Sequence, residues 1–271
     1  MFEFFKGLFQ DKKEGGIEVN DKTVPLIKNK VSRSPKANTS TRYQMASCQS
    51  AGKERFHNED ALFTLLSELY GVEAPVYFGI FLVADGMGGH QSGEVASKLA
   101  AQAASKELLD NLFDVTLYEK ESSSEDKLLK LVKKAVNEAQ TLILRRVPGG
   151  GTTLTLALII DDQIYSAHVG DSRLYLIDRE GQLNLKTKDH SLVKRLVDLG
   201  EISAQEASVH PQRNVLYRAL GQEDLLEPDL DHFSLETGQR MLICSDGLWG
   251  VLDKAKMEGI IKRAQSLEKA T

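Results

Sequence analysis

Cysteine is scarce in this chain of 271 residues: Cys48 and Cys244 stand far apart, each in an apolar segment with strand character. They read as two buried free thiols rather than a disulfide framework, which suits a reducing compartment and a cytoplasmic location. Long hydrophobic runs are missing as well. The longest, 77–84 and 154–160, fall far short of the roughly 18–20 apolar residues that cross a bilayer, so no transmembrane segment is expected. Positive charge is in deficit, 34 Lys and Arg against 39 Asp and Glu, and the net charge of −5 argues against a nucleic-acid binder, whose affinity comes from clustered cations. The histidines, His57, His90, His168, His190, His210 and His232, show no paired ligand spacing, which disfavours zinc. Gly86, Gly88 and Gly89 are followed by Gln91 where a dinucleotide loop needs a third glycine, and no glycine-rich loop ends in Gly-Lys-Ser/Thr. A Gly-x-Ser-x-Gly nucleophile elbow and internal repeats are also absent.

What is present is an ordinary globular mixture, 41% hydrophobic and 27% charged, enough for one large domain with its own core. A domain of roughly 200–250 residues buries about 70% of its unfolded surface, so a metal would be catalytic rather than a structural staple. The first nine residues put Phe2, Phe4, Phe5, Leu8 and Phe9 on one side of a short helix, with Glu3 and Lys6 interrupting any signal-peptide core. A frayed tail is the expectation, with a membrane-surface anchor or a partner-docking helix as alternatives. Residues 10–41 turn polar and basic and read as a linker, so 1–41 is a flexible extension and 42–271 the folded domain.

The pattern predicts strands at 43–48 and 77–84, then amphipathic helices at 92–113 (Val95, Leu99, Ala103, Leu108, Leu109, Leu112) and 124–144 (Leu128, Leu129, Val132, Val136, Ala139). A meander follows at 152–160, 163–169 and 173–177, its turns short enough for antiparallel pairs. Helices are expected at 192–199, stopped by Gly200, and after Ser203, whose spacing to Glu206 fits a capping box. Strands at 230–235 and 240–244 close the pattern, and helices grouped between antiparallel strands indicate an α+β domain.

Two of these strands end alike, in Ala84-Asp85-Gly86 and Ser245-Asp246-Gly247. One such Asp reads as a helix cap or a turn residue; two weaken that reading. Asp171 sits in the turn Gly170-Asp171-Ser172, and Glu59-Asp60 precedes a further apolar stretch. Carboxylates gathered at strand ends repel one another unless a cation shares the site, and an all-oxygen donor set suits magnesium or manganese. A glycine after Asp85 leaves its carbonyl open to close approach by an ion. The run Gly149-Gly150-Gly151-Thr152-Thr153 reads as a flexible lead into a strand, with anion binding as the alternative.

Arg55-Phe56-His57-Asn58-Glu59-Asp60, Val83-Ala84-Asp85-Gly86-Met87-Gly88-Gly89-His90, His168-Val169-Gly170-Asp171-Ser172-Arg173 and Cys244-Ser245-Asp246-Gly247-Leu248-Trp249 together resemble, in order, the motifs of the protein phosphatase 2C family. The stretches from Lys188-Asp189-His190-Ser191 to Ala219-Leu220-Gly221 are similar to the flap of its bacterial branch. The resemblance implies two antiparallel β-sheets packed as a sandwich and flanked by α-helix pairs, a four-layer αββα fold. It implies hydrolysis of phosphoserine and phosphothreonine on protein substrates by a metal-bound water, without a phosphoenzyme and as a monomer. Asp85 would bridge two Mg2+ or Mn2+ ions, the Gly86 carbonyl would serve one and Asp246 the other. Glu59 and Asp60 would act near the metals partly through water, Asp171 with Asp246 would match a third, weaker site, and Arg55 would grip the phosphate.

Two departures stand out. Met87 occupies the place of a histidine that animal-type members use as a proposed general acid, so leaving-group protonation would fall to water; His90 reads as a residue without role. No Asp-Asn pair follows Asp246, and the chain reaches Thr271 inside a helical pattern at 257–267, as though the last strands were cut off or belong to a longer product. Hence a second reading, a catalytically weak module that binds phosphorylated partners, stands beside the enzyme.

Overall fold

The computed structural model describes residues 43–52, 57–69, 75–87, 91–117, 125–222, 226–264 and 266–271. Expectations for 1–41, Arg55, Gly88, Gly89 and His90 lie outside them. Strands β1 (Asp60–Leu69) and β2 (Val76–Met87) lead into helices α1 (Gln91–Leu117) and α2 (Glu125–Arg146). Then come β3 (Gly151–Thr152), β4 (Leu154–Ile160), β5 (Gln163–Val169), β6 (Arg173–Ile177) and β7 (Leu183–Leu185). Helices α3 (Leu192–Asp198) and α4 (Ala204–Val209) precede β8 (Asp229–Ser234) and β9 (Arg240–Cys244), and α5 (Asp246–Trp249), α6 (Lys254–Arg263) and α7 (Leu267–Ala270) follow.

Among the described residues every ladder is antiparallel, and the strands form two sheets. One runs β1-β2-β4-β5-β8 with β3 paired to β2; the other runs β7-β6-β9. Alternation along β4 shows how the layers arise. Leu154, Leu156 and Leu158 pack under α1 and α2, while Ala157 and Ile159 face Leu174 and Leu176 of the second sheet. Because both faces are covered, the strand reads as a continuous apolar run rather than an alternating one. Beyond the second sheet, Met257 and Ile261 of α6 close over Tyr175, Ile177 and Leu183. Helices, sheet, sheet and helix make the four-layer α+β sandwich.

Several local expectations change. Residues 43–48 form no strand: most are exposed, and Tyr43 anchors them, donating its hydroxyl to the Asp161 carbonyl and meeting Tyr77 edge-on. Cys48 is therefore exposed, while Cys244 is buried as expected. The segment Gly170-Asp171-Ser172 is not a hairpin turn. Since β5 already pairs with β4 and β8, the next strand has no open edge beside it and crosses to the second sheet. The buried stripe of α1 is the small-residue row Ala96, Ala100 and Ala104 with Leu108 and Leu112, whereas Val95 is 45% exposed. Alanine lets α1 lie close to α2, whose Ala135 and Ala139 are equally buried. The 257–267 pattern breaks where Ala264 turns extended after α6. The capping box at Ser203 and Glu206 is present.

The assignment of faces can be checked by urea denaturation. Leu156→Ala, at a site with no exposure, should lose about 2–5 kcal/mol. Val95→Ala should stay within about 0.5 kcal/mol, because that side chain is not in the core.

Candidate metal centre

The site begins with a sheet register. Asp60 lies opposite Asp85 across β1 and β2, and the Gly86 N–H donates to the Glu59 carbonyl at 3.2 Å. That bond makes Asp60 and Asp85 a non-hydrogen-bonded pair, the arrangement that brings facing side chains closest, about 4.5 Å between Cα atoms. Like charges so placed are unfavourable. The second sheet repeats the problem. Arg173 faces Cys244 in the β6–β9 ladder, so Asp171 and Asp246 occupy the positions that would meet if that ladder ran two residues further.

The two pairs converge. Burial, then the charges of Asp60 and Asp246, push the Asp85 carboxyl up to about 9. Burial, then Asp246 and Asp189, raise Asp171 to about 7. The Ser245 hydroxyl donates to Asp60 Oδ2 at 2.9 Å, tying the first sheet to the start of α5. Asp85 is thus inside β2, not at its end, and Asp246 opens α5 behind Ser245 as N-cap.

Main-chain support around Asp85 is dense. Its N–H donates to Thr153 Oγ1 at 2.9 Å, and its carbonyl accepts from the Thr153 N–H and Thr152 Oγ1, each at 2.9 Å. Thr153 Oγ1 also meets Ser172 Oγ at 2.8 Å, beside Asp171. Thr152 and Thr153 are buried, so the 149–153 run ends in a fixed brace rather than a flexible lead. Gly86 is required by packing, since a Cβ there would lie 2.2 Å from the Gly93 carbonyl oxygen. Glu59 enters through its main chain: its carbonyl accepts from Gly86 and from Ser97 Oγ at 2.5 Å. The flap stems reach the same neighbourhood. His190 Nδ1 accepts from the Gly170 N–H at 3.0 Å, and Leu220 exchanges backbone bonds with Thr152.

Among the described residues no three His, Cys, Asp or Glu side chains stand close enough to hold an ion together. The carboxylates are gathered, not closed, as mutual repulsion dictates. Their chemistry fits a hard dication: every donor is oxygen, and a cation would offset the repulsion among the carboxylates.

A family model described as Protein phosphatase 2C matches residues 53–270. The chain belongs to the protein phosphatase 2C family. It is 40% identical over 192 residues to the serine/threonine phosphatase stp of Listeria innocua serovar 6a, covering 70% of this chain and 75% of that one. Protein phosphatase PhpP of Streptococcus pneumoniae serotype 2 is 35% identical over 182 residues, 67% of this chain and 72% of PhpP. The solved Mycobacterium tuberculosis serine/threonine phosphatase PstP/Ppp superposes with a TM-score of 0.63 at 32% identity, over 80% of this chain and 83% of that one. The PstP catalytic domain in complex with two manganese ions gives a TM-score of 0.62 at 32% identity, over 81% and 84%.

Thr153, Ser172 and Ser245 were not foreseen as parts of the site. Their contacts arise where two sheets meet, and no spacing along one strand reports that. His168 is buried, and burial, then His190, push it down to about 4.

Folding raises Asp85 and Asp171 above the usual 3.8, so the folded metal-free chain binds more protons than the unfolded one. Their contribution to stability is greatest below about pH 4 and is lost as pH rises through about 7 and about 9. In chelator, wild type should therefore lose melting temperature relative to Asp85→Asn as pH rises from 5 to 9, measured by thermal scans. Manganese should remove that difference.

Proposed function

We propose that this chain is a metal-dependent protein serine/threonine phosphatase whose centre is built on Asp85 and Asp246. The observation that carries the reading is the pair Asp60 and Asp85, facing each other across β1 and β2, with Asp246 and Asp171 near enough to add charge to it. Asp85 would hold two divalent ions, magnesium or manganese, with the Gly86 carbonyl, Glu59 and Asp60 serving one and Asp246 the other. Asp171 with Asp246 would hold a third. Bound there, the ions supply a nucleophile from water at neutral pH and offset the charge that builds on the phosphoryl oxygens. The net reaction adds water across the phosphate ester and releases the serine or threonine hydroxyl and inorganic phosphate.

The chain's own residues set the rest. Asp60, fixed by the Ser245 hydroxyl, can accept a proton from water on the Asp85 side of the cleft. Arg55 would pair two phosphate oxygens through its planar guanidinium. Met87 carries no exchangeable proton, and its Cγ and Cε lie toward Gly151, so the leaving oxygen takes its proton from water. Substrates are phosphoproteins. Action as a monomer is part of this reading, and the free thiols of Cys48 and Cys244 support a cytoplasmic setting. No described helix is long and apolar enough to cross a membrane.

Manganese-supported hydrolysis of a phosphothreonine peptide and of an aryl phosphate tests this directly. Asp85→Asn or Asp246→Asn should each lower kcat roughly 100-fold or more, corresponding to about 3 kcal/mol of lost stabilisation, and chelation should abolish turnover of wild type. Equal rates in wild type and both variants would refute the mechanism; peptide binding without turnover in wild type would favour the binding module.

A further inference from the structure

The structure assigns to Arg173 the role of a positioning residue: its guanidinium, clamped by Asp189 and stacked on Trp249, fixes the spacing of Asp171 and Asp246 and with it the affinity of the cation that this pair holds. The assignment rests on the metal reading above and adds to it a residue that touches neither substrate nor ion.

Arg173 joins three chain segments. Its Nε and Nη2 donate to Asp189 Oδ1 and Oδ2 at 2.9 and 2.6 Å, a bidentate pair that fixes the plane of the guanidinium. Nη1 reaches the Tyr175 hydroxyl at 3.2 Å. The guanidinium carbon lies 3.6 Å from the centroid of the Trp249 ring. Asp171 is two residues before Arg173 on the crossover, Trp249 one helical turn beyond Asp246 on α5, and Asp189 next to His190 at the flap stem.

Chain register makes this arrangement specific. Arg173 opposes Cys244 as the last rung of the β6–β9 ladder. Among the described residues no backbone bond joins the two chains beyond that rung; Ser172 and Ser245 come next, and after them the repelling carboxylates Asp171 and Asp246. Arg173 and Trp249 replace the missing rungs with a side-chain stack. Lysine at 173 would keep the charge but lose the fork and the planar face. The Trp249 indole N–H is buried and finds no partner among the described residues.

Manganese titration calorimetry on the full chain, with thermal scans in chelator alongside, tests the assignment. Wild type should bind manganese, Asp171→Asn should lose the weakest site, and Arg173→Lys should weaken that same site about 10-fold or more. Arg173→Lys added to Asp171→Asn should change nothing further. Trp249→Phe, which keeps an aromatic face, should stay within about threefold of wild type, and Trp249→Leu should behave as Arg173→Lys. These two variants carry the test if Arg173→Lys does not fold. A lower melting temperature with unchanged affinity in Arg173→Lys and Trp249→Leu would overturn the positioning role and leave the metal reading intact. No manganese uptake by wild type would overturn both.

Discussion

Repulsion among four carboxylates organises this protein. Asp60 and Asp85 face each other in one antiparallel ladder, Asp171 and Asp246 lie two residues beyond the end of another, and the two sheets bring both pairs to one edge of the sandwich. A buried cluster of this kind has no stabilising value by itself, because each charge loses water without gaining a counterion. Burial and mutual repulsion therefore raise Asp85 and Asp171, a cost that a dication would remove. Everything close to the cluster braces it. Thr152 and Thr153 fix the main chain of Asp85, Ser172 links Thr153 to the Asp171 crossover, and Ser245 holds Asp60.

Packing explains how a charged edge can coexist with a stable core. The apolar layers lie away from it, between helices and the first sheet and between the two sheets. Close approach at the junction depends on missing side chains: Gly86 and Gly93 touch main chain to main chain, and the alanine row of α1 follows directly. The rigid scaffold so formed presents the carboxylates from strands and strand ends rather than from long loops, which suits a site that must hold its donors within narrow limits.

Much of this was legible in sequence because each local signal agreed with its neighbours. Helical periodicity gave α1 and α2, the capping box gave α4, and the ordered motifs gave the family before any fold was seen. The failures share a cause. Val95 fits a helical stripe as well as Ala96 does, yet a tight helix pair prefers the alanine face. Residues 43–48 have strand composition, but no described strand offers them a ladder. Gly170-Asp171-Ser172 is short enough for a hairpin, and only the occupied edges of β5 send it across to the other sheet. Thr153, Ser172, Ser245 and Arg173 matter through contacts between sheets, to which a single strand's pattern is blind.

Anomalous diffraction at the manganese edge, from crystals of the full chain grown with manganese, measures the central claim most directly. Two peaks within coordination distance of one Asp85 carboxylate, one of them also within reach of Asp246, are the predicted result. Peaks elsewhere on the molecule with none at Asp85 would contradict it.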